Sequence, residues 1–361
     1  MHDLNNINFL PDATRGAVRS ITTQQLKSTN TKGIVVNTLH LLISPGPERI
    51  KELGGIHKFM SWDGLTLSDS GGFQVFSLLH SGKWEGKIDE NGAIFKSPRD
   101  GKTHVLTPEK SIDIQMMLGT DILVVLDDCR KAVTTREEAE ESVNRTIEWA
   151  KRCKEHYLTS YSDAEREGKM LSAVVQGANF SDLRIKCAEA LTEIGFDGYN
   201  FGGYVLDDEG KLVLDQMKTV VDNTPADKFK YAMGVGKPDD IFYSAQVGYK
   251  LFDTVLPTRN ARHGTLYSAT ATNGEMRIRN AEFATDTGPI DESCDCEACT
   301  NHSKAYIHQM IKVGEMTGMT LATIHNIRFY QRLIEKMNEL GEDGITSIEY
   351  KDILKQLADA S

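Results

Sequence analysis

Residues 121–128 read Asp121-Ile122-Leu123-Val124-Val125-Leu126-Asp127-Asp128. Residues 122–126 are all apolar and leave no polar position for a wet face, so the run suits a parallel strand covered on both sides. The stretch Leu171-Ser172-Ala173-Val174-Val175-Gln176 has the same character. Working outward, strand-like runs recur at 7–10, 33–36, 65–69, 198–201, 231–235 and 252–256, which with 122–127 and 171–176 makes eight. Most are followed by a helix-like stretch. Eight such strands alternating with helices predict an α/β fold, a (β/α)8 TIM barrel.

The spacing is uneven between the third and fourth strands. There, residues 88–95 and 102–106 flank turn signals at Asn91-Gly92 and Asp100-Gly101, which predicts a β-hairpin insertion followed by an amphipathic helix over 108–118. Beyond the eighth strand lie a loop bearing glycine and arginine and a cysteine cluster. Helical stretches over about 303–316 and 321–340 follow, then a turn at 341–344 and a short final helix. The whole of 1–361 is expected to form one barrel domain.

The formal net charge of −11 argues against a nucleic-acid partner only in bulk, because a local basic patch decides that question. An apolar content of 40% and a charged content of 26% are those of a water-soluble globular protein. No apolar run approaches the roughly 18–20 residues that span a bilayer. The start, MHDLNNINFL, lacks a secretory pattern, so no membrane association and a cytoplasmic location are expected.

In a barrel of this kind, function gathers where the strands end. Those ends carry Asn37, Asp69, Asp127, Gln176, Gly202-Gly203 and Gly234, with Asp253 inside the eighth run. Each acid could instead cap a following helix. Capping leaves the glutamine and the paired glycines unexplained. Two carboxylates at one mouth allow a nucleophile and a general acid/base. An aspartate, an amide and a bare glycine N–H can together read the edge of a flat heterocycle. By residue type alone, this is a carboxylate enzyme that binds a polar ring.

Cys294-Asp295-Cys296-Glu297-Ala298-Cys299 places three thiols within six residues. Such a cluster suits a soft tetrahedral metal ion, most often zinc, and needs a fourth ligand from elsewhere. Cys129, Cys153 and Cys187 are scattered and form no disulfide framework.

Five segments carry a resemblance. Asp69-Ser70-Gly71-Gly72-Phe73-Gln74-Val75-Phe76 resembles the signature of the tRNA-guanine transglycosylase (queuine tRNA-ribosyltransferase) family, bacterial type. So do Asn37-Thr38-Leu39-His40-Leu41, Gly54-Gly55-Ile56-His57-Lys58-Phe59-Met60, Met233-Gly234-Val235-Gly236-Lys237-Pro238 and the stretch from Phe252 to Arg259. The resemblance runs from about residue 9 to about 340, in the family's order.

It implies exchange of the guanine at the wobble position in the anticodon loop of certain tRNAs for a 7-deazaguanine, the 7-aminomethyl base or queuine. Asp253 is implied as the nucleophile on the ribose and Asp69 as the general acid/base. Asp127, Gln176 and Gly203 are implied as readers of the base edge. Phe73 and Met233 would sandwich the ring, as apolar side chains do for an extruded base; unaided by the resemblance, both read as core. Ser70, Cys129 and Leu206 complete the implied substrate-binding set, with Cys129 as pocket wall. Arg259, Arg262 and Lys237 would contact the tRNA.

The family's fourth metal ligand is a histidine matched by His325. His302 stands close to Cys299, while spacing alone leaves His308 open. Three Cys and one His would form a closed, structural Zn2+ site, one per subunit, within a zinc-binding subdomain over 282–340. A homodimer is also implied. Two departures carry expectations. The short N-terminal part predicts a more open barrel bottom. Leu206, bulkier than the family's residue there, predicts a small 7-substituent. The competing readings are a non-catalytic tRNA-binding paralogue, base exchange on another nucleic acid, and a zinc hydrolase.

Overall fold

The apolar runs fold as short parallel strands in a computed structural model that describes residues 4–130 and 134–359. In chain order the strands are β1 (Asn8–Pro11), β2 (Gly33–Val36), β3 (Leu65–Ser68), β4 (Glu85–Asp89), β5 (Gly92–Lys96), β6 (Thr103–Leu106), β7 (Ile122–Val124), β8 (Met170–Val175), β9 (Gly198–Phe201), β10 (Phe229–Ala232), β11 (Leu251–Thr254), β12 (Thr265–Tyr267) and β13 (Glu275–Arg277). One sheet runs β1-β11-β10-β9-β8-β7-β3-β2, all parallel. Its two ends meet. Asp12 bridges Val35, and Ala13 N–H donates to the Val35 carbonyl at 2.7 Å. The result is a nearly closed eight-stranded barrel, as the sequence predicts.

Strand alternation fills both sides of the wall. Leu10, Val35, Leu67, Ile122, Val124, Val174, Tyr231 and Leu251 form one buried cluster. Ile34, Val36, Leu123, Ala173, Val175, Phe201 and Phe252 face the other way and pack into the larger core with the helices. A polar clamp braces the strand ends beneath the mouth. Gln115 accepts from Ser68 Oγ and from Val124 N–H at 2.9 Å each, and donates to the Val124 carbonyl at 2.9 Å. Gln115 is on the predicted helix after the insertion, Pro108–Leu118, which Thr107 caps.

Two expectations need adjusting. The insertion is a three-stranded antiparallel meander, β4-β5-β6, because Asn91-Gly92 is itself a turn that pairs Asp89 with Gly92. The C-terminal helices are Lys304–Val313, Met316–Thr346 and Tyr350–Ala358. The second is longer than predicted, since only Gly341 (φ 68°, ψ 180°) leaves helical geometry and the helix resumes beyond it. That helix closes the barrel's flank. Phe9 and Tyr330 rings meet at 4.7 Å, and the Tyr330 hydroxyl donates to the Gly236 carbonyl at 2.7 Å. At the barrel bottom a cavity lies among Leu4, Ile7, Leu65, Gln331 and Asn338.

Candidate active site

A cavity of about 350 Å³ opens at the C-terminal ends of the strands, within the usual size range of small-ligand pockets. Asp69, Ser70, Phe73, Asp127, Cys129, Gln176, Gly203, Met233 and Asp253 all line it. None of the three acids caps the helix that follows it: those N-caps are Gly71, Thr135 and Val255. The capping alternative therefore fails.

Asp69 is held by donors from the neighbouring β2 unit and from its own loop. Asn37 Nδ2 donates to its Oδ2 at 2.5 Å, and Thr38 N–H and Gly71 N–H donate to Oδ1 at 2.8 and 3.1 Å. Asn37 can do this because it also caps the helix Thr38–Ile43, accepting from His40 N–H at 2.9 Å. Among the described residues, donors reach only one oxygen of Asp253. The Tyr231 hydroxyl and Gly234 N–H both donate to its Oδ1, at 2.7 and 2.8 Å. Gly234 reaches that position with φ +71° in open space, so backbone freedom is what the residue supplies.

Burial pushes Asp69 up to about 7, against its backbone donors, with the like charges of Asp12 and Asp253 adding to the rise. It pushes Asp253 up to about 6. Burial also pushes Asp127 up to about 7; Gln176 Nε2 opposes this by donating to Asp127 Oδ2 at 2.7 Å. The adjacent Asp128 differs: it is fully buried and paired with Arg145 and Arg130 at 2.5 and 3.1 Å. One aspartate of the pair faces the cavity and the other anchors the loop.

The paired glycines serve different ends. A Cβ on Gly202 would lie 2.7 Å from Gln176 Nε2, while Gly203 adopts φ +99°. Beneath them, buried Arg184 donates to the carbonyls of Val175 at 2.9 Å, Gly202 at 3.2 Å and Ala178 at 2.8 Å. Phe73 is 45% exposed and is not core; its ring sits edge-on to Tyr204 at 6.3 Å. Burial pushes the Cys129 thiol far up, which suits a wall residue and not a low-pKa nucleophile. Leu206 lies outside this cavity. It lines an adjoining depression with Asp207, Asp208 and Glu209, which shares Gln176 and Gly203 with the first.

Arg259 and Arg262 lie on the short helix Leu256–His263 after β11, and Lys237 is an exposed residue before the helix Pro238–Gln246. Arg262 Nη1 donates to the Thr258 carbonyl at 2.7 Å. The structure adds Arg15, Arg19 and Arg99 to this side. Arg19 and Arg259 repel Arg262, while Arg15, Arg19 and Arg99 repel a protonated His40 at the cavity edge. Burial, with those arginines, pushes His40 down to about 4, and its Nδ1 accepts from Arg99 Nη1 at 2.6 Å. Several arginines elsewhere pair with carboxylates. Among the described residues, none of these five rim arginines does.

Cys294, Cys296, Cys299 and His325 offer ligand atoms that all lie within 4.8 Å of one another. A tetrahedral ion with metal–sulfur bonds of about 2.3 Å sets its ligands roughly 3.8 Å apart, so the set fits a metal. His325 Nε2 donates to the Tyr267 carbonyl at 2.5 Å, which turns Nδ1 toward Cys299 Sγ at 3.2 Å and Cys296 Sγ at 3.6 Å. Such a partner fixes tautomer and ring orientation. The competitors are otherwise engaged: His308 Nδ1 bonds the Ile278 carbonyl at 2.7 Å, and His302 stacks on Tyr306 at 5.0 Å.

Sequence reasoning missed Asp12, Tyr231, Arg184 and the three additional rim arginines. Asp12 stands one residue past β1, as Asp69 stands one residue past β3. Tyr231 and Arg184 read as ordinary strand and helix residues, and only packing assigns them.

The model of a family described as queuine tRNA-ribosyltransferase matches residues 3–354. A queuine tRNA-ribosyltransferase of Pseudoalteromonas translucida (strain TAC 125) is 43% identical over 327 residues, 91% of this chain and 84% of that protein. One from Psychrobacter cryohalolentis is 42% identical over 340 residues, 93% and 86% of the two chains. One from Desulforamulus reducens is 41% identical over 351 residues, 96% and 90%.

Proposed function

Because the chain belongs to the queuine tRNA-ribosyltransferase family, we propose that it exchanges the wobble guanine of queuosine-type tRNAs for a 7-deazaguanine through a covalent aspartate–ribose intermediate. The observation that carries this reading is the unequal bonding of two acids in one cavity. Both protein donors to Asp253 sit on Oδ1. Its Oδ2 is thus the oxygen available to attack. Asp69, whose burial favours the neutral form, is the acid.

In the first step an Asp253 Oδ2–C1′ bond forms and the C1′–N9 bond breaks, with the Asp69 proton passing to the departing guanine. In the second, Asp69 takes the N9 proton of the incoming base, which attacks C1′ and releases the Asp253 carboxylate. The logic is that of a retaining glycosidase. Asp127, Gln176 and the Gly203 N–H read the base edge, with Phe73 and Met233 against its faces and Ser70 and Cys129 as wall. Flipping the base from a loop costs only a few kcal/mol.

Arg259, Arg262, Lys237 and the added rim arginines serve as phosphate contacts on the anticodon loop. The depression at Leu206, with its three acidic residues, favours a short cationic 7-substituent and hence the 7-aminomethyl base. The Cys3His set is read as structural zinc, organising residues 282–340 as a subdomain of the 1–361 barrel domain. Function on tRNA is consistent with a cytoplasmic place, and among the described residues no helix is long and apolar enough to cross a membrane.

The test is capture of tRNA. With tRNA present, the wild type yields a protein–RNA adduct on a denaturing gel, less at higher salt as rim contacts weaken. Asp253→Asn yields none. An adduct that survives this substitution would overturn the assignment of the nucleophile.

A further inference from the structure

Asp12 is a fourth carboxylate in the cavity that holds Asp69, Asp127 and Asp253, and the mechanism above leaves it unused. Its place follows from register. On β1, Leu10 pairs with Asp253 of β11. Asp12 lies two residues further on, so it points the same way, one layer nearer the mouth. On its other side it bridges Val35 of β2, two residues before Asn37, which grips Asp69. Asp12 thus stands between the two reacting acids, one layer beyond Asp253 and one layer short of Asp69 in the strand register.

Its hydrogen bonds are local, both from Thr14: Oγ1 donates to Oδ2 at 2.5 Å, and the backbone N–H also reaches the carboxylate. The other oxygen has no side-chain donor among the described residues. Burial raises Asp12, and Arg19 and Arg262 on the rim oppose that rise. Asp12 is close enough to add a like charge to both Asp69 and Asp253. A carboxylate kept in such company, with no partner beyond its own turn among the described residues, calls for a donor from the substrate.

The depth of the site selects that donor. The base occupies the deep end at Asp127 and Gln176, and C1′ must reach Asp253. The layer toward solvent then meets the sugar. The phosphodiester leaves that sugar one free hydroxyl, at C2′, adjacent to the attacked carbon. We propose, resting on the reading of the site given above, that Asp12 accepts a hydrogen bond from the ribose 2′-hydroxyl of the target nucleotide and makes the site selective for RNA over DNA. The 2′-hydroxyl is the group by which a protein tells the two apart.

The experiment measures incorporation of labelled guanine into an anticodon stem-loop RNA and into the same RNA with a single 2′-deoxy target nucleotide. A hydrogen bond to a charged group sets the expected scale, so wild-type kcat/KM should fall roughly 10- to 100-fold on the deoxy substrate. Asp12→Val should lose a similar factor on the all-ribo RNA and no more on the deoxy one, bringing its ratio near one. Asp12→Ala is the second variant if valine prevents folding. A wild-type ratio near one, or a variant ratio equal to the wild type's, overturns the proposal. Wild type that labels neither RNA sinks base exchange itself, and this inference with it.

Discussion

Asp69 just past β3 and Asp253 within β11 are the same residue type in one cavity, yet their surroundings differ in the way the proposed division of work requires. Three donors from two neighbouring backbone segments surround Asp69, whereas Asp253 is held by one oxygen. Burial holds them near 7 and 6 respectively. Attack needs Asp253 ionised, and leaving-group protonation needs Asp69 neutral. Activity should therefore rise with pH through about 6 and fall again through about 7, limbs that belong to the coupled pair. A profile of kcat/KM between about pH 5 and pH 9 checks this; a flat profile would refute the division of roles. The stability sign follows from the same shifts. A carboxyl whose folded pKa is raised above the unfolded value near 3.9 stabilises the fold fully below that value. That stability is lost as pH rises through 6 to 7, so the site destabilises the fold at the pH where it works.

Among the elements, the helix Met316–Thr346 does the most to couple distant parts. It carries His325 to the thiols and Asn326 to the carbonyls of Pro257 and Thr265, both at 3.0 Å. Its Arg328 forms a bidentate pair with Asp295, between two of the cysteines, at 2.7 and 2.9 Å. The Asn326 bonds tie the segment beyond β11, which bears Arg259 and Arg262, to the helix that flanks the barrel, and a bound metal would add a second tie at the thiols. Structural zinc supplies on the order of 10 kcal/mol of apparent binding energy. Cys296→Ser should lose its metal by elemental analysis and melt at a lower temperature, with the C-terminal helices the first to lose hydrogen-exchange protection. A metal-free variant with an unchanged melt would show that the cluster does not organise this region. The strand-end position of Asp12 is legible in the sequence, but only the pairing of β1 with both β11 and β2 sets it beside the other acids.

For the whole molecule, a net charge of −11 coexists with five rim arginines that lack carboxylate partners among the described residues. The sum of charges hides the face that matters to a polyanion. A second surface feature bears on assembly. Tyr306, 39% exposed and stacked on His302, and Val313, 57% exposed, lie seven residues apart on the helix Lys304–Val313, and Met316 beyond it is 79% exposed. Residues at that spacing share one helix face, and we propose this face as the contact between two copies of the chain. The expected outcome is a homodimer by sedimentation or light scattering that Tyr306→Ala weakens. A wild type that stays monomeric across concentrations would refute it.

The amino-acid sequence by itself determined the barrel, because eight runs apolar on both faces have few other stable arrangements. It also marked the acids at the strand ends and the thiol cluster, since both signals are local. Tertiary structure decided what no local pattern encodes. It selected His325 from three histidines by giving its Nε2 a carbonyl partner. It split Asp127 from Asp128 by supplying arginines to only one of them. It brought Asp12 into the cavity by closing β1 against β2. In each case the deciding quantity is the set of partners that folding brings within hydrogen-bond reach, contributed by residues distant in the chain.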